Sequence, residues 1–192
     1  MNMQAKVDND VTPSRNYGVV TARDTVRLER LLPGPIERVW SYLTDSEKRG
    51  QWLATGEMEL EVGGRVEHVF NNSALTGHDD PPPPKYAKYG KETTMHGRIT
   101  ACDPPKLLAY TWNERSGEPS QVTFELTPQA GKVRLVLTHS RLATRDDMVG
   151  VSAGWHAHVD ILIDRLNNEQ PRSFWPMHTT LEAEYEELIP LR

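Results

Sequence analysis

One apolar stripe runs along residues 148–166 and constrains the fold more than any other feature of the sequence. Its members recur at three- and four-residue steps: Met148, Val151, Trp155, Val159, Leu162 and Leu166. This spacing predicts an amphipathic helix of about five turns. A stripe of that length needs a broad apolar partner, and residues 23–140 read mainly as short alternating strands. We therefore expect an α+β fold in which a curved antiparallel sheet wraps around one long C-terminal helix.

Alternating segments before that helix predict a sheet of about seven strands. The first strand, at 26–32, stops at Pro33-Gly34-Pro35 and is followed by two short helices, the second of which has Asp45 as its N-cap. Gly63-Gly64 predicts a two-residue hairpin turn with positive φ at both positions. The remaining strands are expected at 58–62, 66–70, 93–101, 106–113, 121–127 and 132–140.

The length of 192 residues suits one domain. Residues 1–22 lack periodicity and are expected to be a flexible tail that orders only by docking. The domain spans 23–168 and carries a loop insertion at 71–92, whose run of four prolines predicts an exposed, mobile loop that is dispensable for folding. Residues 169–192 form a C-terminal extension, in which an apolar turn at 174–176 precedes a short helix.

Charge and composition exclude several classes of function. A net charge of −5 without a Lys/Arg stripe argues against nucleic acid, and no apolar run approaches the roughly 18 residues of a membrane span. A polar N-terminus and a single cysteine, Cys102, favour a cytoplasmic protein. His156 and His158 lie two residues apart on the predicted helix and cannot chelate one ion together, so we expect no metal. No cofactor motif is present, and we expect no cofactor.

Several short motifs point to a family. They are LLPGPIERVW at 31–40, VGG at 62–64, YTW at 110–112, LTHS at 137–140 and GW at 154–155. With the order of elements, they resemble the START / Bet v 1-like helix-grip superfamily, also called SRPBCC, in the branch named for the activator of the 90-kDa heat-shock protein ATPase. The resemblance covers about residues 23–168. It implies a helix-grip fold, but packing and turn residues carry most of it and say little about activity.

Period-two geometry predicts which strand residues face a hollow between sheet and helix. A phenol, an indole N–H and two imidazoles share the inward parity on their strands, so they are placed to orient a ligand. Two residues of the helix stripe and one arginine of the first strand face the same side. The predicted ligand-binding residues are His68, Tyr110, Trp112, His139, Trp155, Val159 and Arg30.

Two of these assignments have alternatives. For His68 and His139, core histidines bonded to backbone or water are favoured over a catalytic role. Arg30 offers a fixed fork of donors to a ligand carboxylate, or it extends out of the strand end into solvent.

Three functions are consistent with the sequence. The main prediction is a domain that binds a small apolar or amphipathic molecule, with no catalytic residue assigned. The resemblance also implies a polyketide cyclase/aromatase-like enzyme, in which His68, His139 and Tyr110 would be the acid–base groups. A co-chaperone-like protein-interaction module would instead dock through the 71–92 loop or the terminal helix, and a homodimer or another protein partner stays open.

Overall fold

The computed structural model describes residues 16–78, 80–113 and 118–191. Within them one antiparallel sheet has the order β1-β2-β7-β6-β5-β4-β3. Its strands are β1 (Val19–Ala22), β2 (Thr25–Pro33), β3 (Arg65–Phe70), β4 (Thr93–Asp103), β5 (Leu107–Trp112), β6 (Ser120–Gln129) and β7 (Lys132–Ser140). The helices are α1 (Ile36–Thr44), α2 (Ser46–Arg49), α3 (Arg145–Leu166) and α4 (Phe174–Leu188), with a 3₁₀ helix at Pro84–Tyr89.

The sheet packs around α3, which confirms the predicted α+β fold with a long C-terminal helix and two short helices after the first long strand. A capping box starts α3, because Thr144 and Asp147 exchange hydrogen bonds between side chain and backbone N–H, each at 3.0 Å. The predicted stripe is buried except at Val151, which is only partly buried. Residues outside the stripe, such as Ala157 and Ile161, are buried too, since α4 covers the other side of α3.

One predicted strand is wrong. Segment 58–62 makes a single isolated bridge to β3, from Met58 to Val66, instead of a regular ladder. Gly63 has the expected positive φ of +88°, whereas Gly64 does not. A Cβ on Gly64 would lie 2.2 Å from the Glu59 carbonyl oxygen, so the chain folds back too tightly for a continuous strand. The seventh strand is β1 instead.

Regular structure is present before the predicted domain start at residue 23. Residues 1–15 of the predicted tail lie outside the described residues, but Val19–Ala22 form β1 and pair with β2. The backbone N–H of Gly18 donates to the Tyr185 hydroxyl at 2.6 Å. The ring of Tyr17 contacts Tyr185 edge-on, with centroids 5.6 Å apart. Docking on α4 thus orders this segment.

Part of the insertion at 71–92 packs against α4, although most of its described residues remain exposed or partly exposed, as expected for a surface loop. Trp175 Nε1 donates to Ser73 Oγ at 2.9 Å, and the Trp175 ring stacks on Tyr86 with centroids 5.8 Å apart. The Tyr86 hydroxyl and the Lys85 ammonium both donate to the Glu182 carboxylate. The prolines did not indicate these contacts, because a proline run reports local backbone preference and not tertiary partners.

A buried ionic cluster fixes the C-terminal extension. Asp160 in α3 is fully buried, with Arg172 Nη1 at 3.2 Å and Arg30 Nε at 3.7 Å from its carboxylate oxygens. Arg172 also pairs with Asp164 at 3.0 Å. The chain then enters α4 directly, so residues 174–176 form the first turn of that helix and not the predicted apolar turn.

Replacing residues 73–88 with a short Gly-Ser linker should lower the free energy of unfolding by about 2 kcal/mol or more, because Trp175 loses the surface that buries it. Urea unfolding of the variant and the wild type gives this difference directly. An unchanged free energy of unfolding would show that the insertion is dispensable, as its sequence suggested.

Candidate functional site

A cleft of about 540 Å³ lies between α3, α4, the insertion and the edge formed by β3, β4 and β5. Its walls are mostly apolar, and they are contributed by the sheet, both long helices and the 3₁₀ helix. The aromatic residues that line it are Phe70, Tyr86, Tyr89, Trp112, Trp155, Phe174 and Trp175. The cleft thus combines elements of the predicted helix-grip core with the insertion and α4.

Two glycines of α3 leave room for this cleft. A Cβ built on Gly154 would meet no atom within 4 Å, and one built on Gly150 would meet only the Tyr86 hydroxyl, at 3.9 Å. Glycine inside a helix costs roughly 0.5–1 kcal/mol relative to alanine. The two positions therefore keep the helix surface open where α3 lines the cleft.

The predicted ligand-binding residues divide between the cleft and the core. Trp112 and Trp155 line the cleft, with ring centroids 5.0 Å apart. The others are buried but do not line it: His68, Tyr110, His139, Val159 and Arg30. The parity argument thus identified buried side chains correctly, whereas the open space lies beside them.

His139 holds the Trp155 indole in place. Trp155 Nε1 donates to His139 Nδ1 at 3.0 Å, so the proton of the neutral imidazole is on Nε2, which donates to Ser120 Oγ at 2.8 Å. Burial lowers the pKa of His139 to about 3. The ring therefore stays neutral and fixes one wall of the cleft from behind.

His68 has no hydrogen-bond partner for either ring nitrogen among the described residues. Aromatic rings surround it, with centroids at 5.2 Å for Tyr110, 5.6 Å for Trp112 and 5.7 Å for Phe70. Burial, with a smaller effect of the Arg49 charge, lowers its pKa to about 3. His68 packs as a neutral ring.

Arg30 follows neither of the alternatives considered from sequence. Its Nη1 donates to the Glu29 carbonyl oxygen at 2.9 Å, and its Nε faces Asp160.

Burial raises the pKa of the Tyr110 phenol well above its usual range. None of the three acid–base candidates, His68, His139 and Tyr110, therefore combines access to the cleft with a pKa near neutrality.

Two histidines line the cleft that sequence reasoning did not assign to it. His158 Nδ1 donates to the Trp52 carbonyl oxygen at 2.7 Å, and burial lowers the pKa of His158 to about 4. His178 is 5% exposed, its Nδ1 has no partner among the described residues, and burial lowers its pKa to about 4. The Phe174 ring contacts both, at 4.7 and 5.6 Å between centroids. The sequence contained one signal for the position of His158: it follows Trp155 by three residues, so the two side chains are neighbours on the helix surface.

The described residues include no group of three or more His, Cys, Asp or Glu side chains arranged to hold a metal ion. No helix in the part of the chain that the structure describes is both long enough and apolar enough to cross a membrane. The thiol of Cys102 is partly buried, and burial raises its pKa.

The sequence matches the family described as Activator of Hsp90 ATPase homolog 1-like protein over residues 33–81 and 83–167. The chain belongs to this family. That membership confirms the resemblance to the corresponding branch of the START / Bet v 1-like superfamily. The match ends before α4 begins at residue 174, so one wall of the cleft lies outside it.

Solved structures agree with this assignment. The solution NMR structure of the protein encoded by gene BPP1335 from Bordetella parapertussis is 44% identical, with 91% of each chain covered and a TM-score of 0.76. CalU16 from Micromonospora echinospora is 20% identical, with 86% of this chain and 87% of that chain covered and a TM-score of 0.61. DynU16, a protein in the dynemicin biosynthetic locus, is 21% identical, with 80% and 51% covered and a TM-score of 0.60. The last two share the fold. A search of curated proteins found no match.

Substituting His68 should change how stability depends on pH. Its folded pKa of about 3 lies below the usual value near 6.5, so between those values the unfolded chain binds the proton and stability falls as pH falls. His68→Leu removes no hydrogen bond, so its free energy of unfolding should match that of the wild type within about 1 kcal/mol at pH 7. Between pH 7 and pH 4, the free energy of unfolding of the variant should fall by about 2–3 kcal/mol less than that of the wild type. Urea unfolding at a series of pH values tests this, and parallel curves for the two proteins would contradict it.

Proposed function

We propose that this protein binds a small apolar or amphipathic molecule in the cleft between α3, α4 and the insertion. The observation that carries the proposal is the cleft itself, with about 540 Å³ of space and mostly apolar walls that include seven aromatic side chains. Small-molecule sites typically enclose about 300–1,000 Å³, with apolar walls and a few polar groups that fix orientation. Both properties are present here.

Two aromatic pairs that line the cleft favour a flat ligand. Trp112 and Trp155 come from the sheet and α3, whereas Tyr86 and Trp175 come from the insertion and α4. An aromatic ligand in contact with these rings would gain buried apolar area and ring contacts, each worth about 0.5–1.5 kcal/mol beyond the area. The hydrogen bonds of Trp155 to His139 and of Trp175 to Ser73 hold two of these rings before a ligand arrives.

Two alternatives have less support. A cyclase-like reaction through His68, His139 and Tyr110 would need those groups in contact with substrate, and they lie behind the cleft wall. A co-chaperone-like docking surface on the insertion or α4 would need one of those segments to be available, and the two are packed against each other through Tyr86, Glu182 and Trp175. The cleft they form favours a small ligand over a protein partner.

Gly154→Leu should abolish binding of an environment-sensitive apolar dye, whereas Gly154→Ala should retain it. No atom lies within 4 Å of a Cβ at this position, so the leucine side chain extends into the cleft, while a methyl group leaves most of the space. Both variants should be at least as stable as the wild type, because leaving glycine in a helix gains up to about 1 kcal/mol. Fluorescence titration measures binding, and thermal unfolding checks the fold.

The pair is matched at one position, so a difference in binding reflects volume in the cleft. Dye binding that persists in a folded Gly154→Leu protein would place the site elsewhere and overturn the proposal. Ala153 and Val159 are unsuitable positions for this test, because both are fully buried outside the cleft lining and a larger residue there would overpack the core.

A further inference from the structure

The cleft contains an acceptor nitrogen that the described chain does not use. His158 Nδ1 lies 2.7 Å from the Trp52 carbonyl oxygen. A carbonyl oxygen only accepts hydrogen bonds, so Nδ1 must carry the proton, and the neutral ring then has an unprotonated Nε2. The His158 side chain lines the cleft, and no hydrogen bond to a described residue engages its Nε2.

A second histidine in the same cleft has a ring nitrogen without a hydrogen-bond partner among the described residues. His178 is 95% buried, and its Nδ1 has no hydrogen-bond partner among the described residues. Its ring contacts Phe174 and Tyr86, which fix it against the cleft, with centroids 5.6 and 5.0 Å away. The Oδ1 atom of Asn72, which also lines the cleft, is likewise buried and without a partner. Buried polar atoms are normally satisfied and an amide oxygen only accepts hydrogen bonds, so Asn72 Oδ1 favours a ligand that carries hydrogen-bond donors.

We infer that the ligand is a hydroxylated aromatic molecule, of the phenol or naphthol type, whose O–H donates to Nε2 of His158. This inference rests on the proposed function and names the ligand class of the same site. A hydrocarbon would pack against the aromatic side chains but leave Nε2 of His158 without a hydrogen-bond partner in a desolvated site. An ionised carboxylate has no proton to donate to that atom. A phenolic hydroxyl provides the donor and is attached to a flat ring that suits Trp112 and Trp155.

The test compares β-naphthol with its methyl ether, which keeps both rings and the oxygen but has no O–H. The wild type should bind β-naphthol about fivefold to tenfold more tightly than the ether, as expected for one added hydrogen bond. His158→Phe keeps a ring against Phe174 but removes the acceptor, so it should bind both compounds with the affinity that the wild type has for the ether. Fluorescence titration gives all four affinities.

A measurement on the wild type covers the case in which His158→Phe does not fold. In ¹⁵N-detected NMR of the histidine side chains, β-naphthol should shift the His158 Nε2 resonance in the direction of a hydrogen-bonded nitrogen, and the methyl ether should not. No shift of that resonance at saturating β-naphthol would overturn the assignment of His158 as the acceptor.

The outcomes separate this inference from the proposed function. Equal affinity of the wild type for the two compounds would overturn the hydroxyl preference but leave a ligand-binding cleft. A preference that persists undiminished in folded His158→Phe would overturn the role of His158. Failure of both compounds and of the apolar dye to bind would overturn the proposed function and this inference together.

Discussion

The carboxylate of Asp160 is fully buried in the middle of α3, and the position of the C-terminal extension depends on how its charge is compensated. Arg172, from the connection between α3 and α4, lies 3.2 Å away, and Arg30 of β2 lies 3.7 Å away on the sheet side. A buried ion whose partner is removed typically costs about 3–5 kcal/mol, because its charge is left without compensation. The pair with Arg172 therefore specifies where the chain turns back after α3, and with it the side of α3 that α4 covers.

That position of α4 determines where the molecule is open. The space under the sheet is filled by packed rings, among them Tyr110, Phe124 and Trp155, with centroids 5.9 Å apart for the first pair and 5.5 Å for the second. Open space remains where α3 faces the insertion and α4, because Gly154 has no side chain to occupy it. A helix-grip core shared with the family thus acquires its cleft from two segments that pack on each other at its edge.

The sequence alone predicted which strand side chains point inward, but not which segments of the chain cover them. Alternation along β2 and β7 placed Arg30 and His139 inside, and both are buried, because one face of a sheet that wraps a helix must be apolar or satisfied internally. Strand alternation did not predict the position of the cleft, since its outer wall depends on contacts between residues far apart in sequence, such as Ser73 with Trp175. His158 was considered only as a metal ligand, and its carbonyl partner on another segment has no signature in a single sequence.

The five tryptophans of the chain allow the most direct test of the cleft as the binding site. Three of them, Trp112, Trp155 and Trp175, line it, whereas Trp40 lies on α1 and does not. In ¹H–¹⁵N NMR spectra of the indole groups recorded during titration with an apolar aromatic dye, the account predicts that the signals of the three lining residues shift together and saturate at one ligand concentration, while the Trp40 signal stays in place. Shifts confined to Trp40, or saturation without any change at Trp155 and Trp175, would contradict the account.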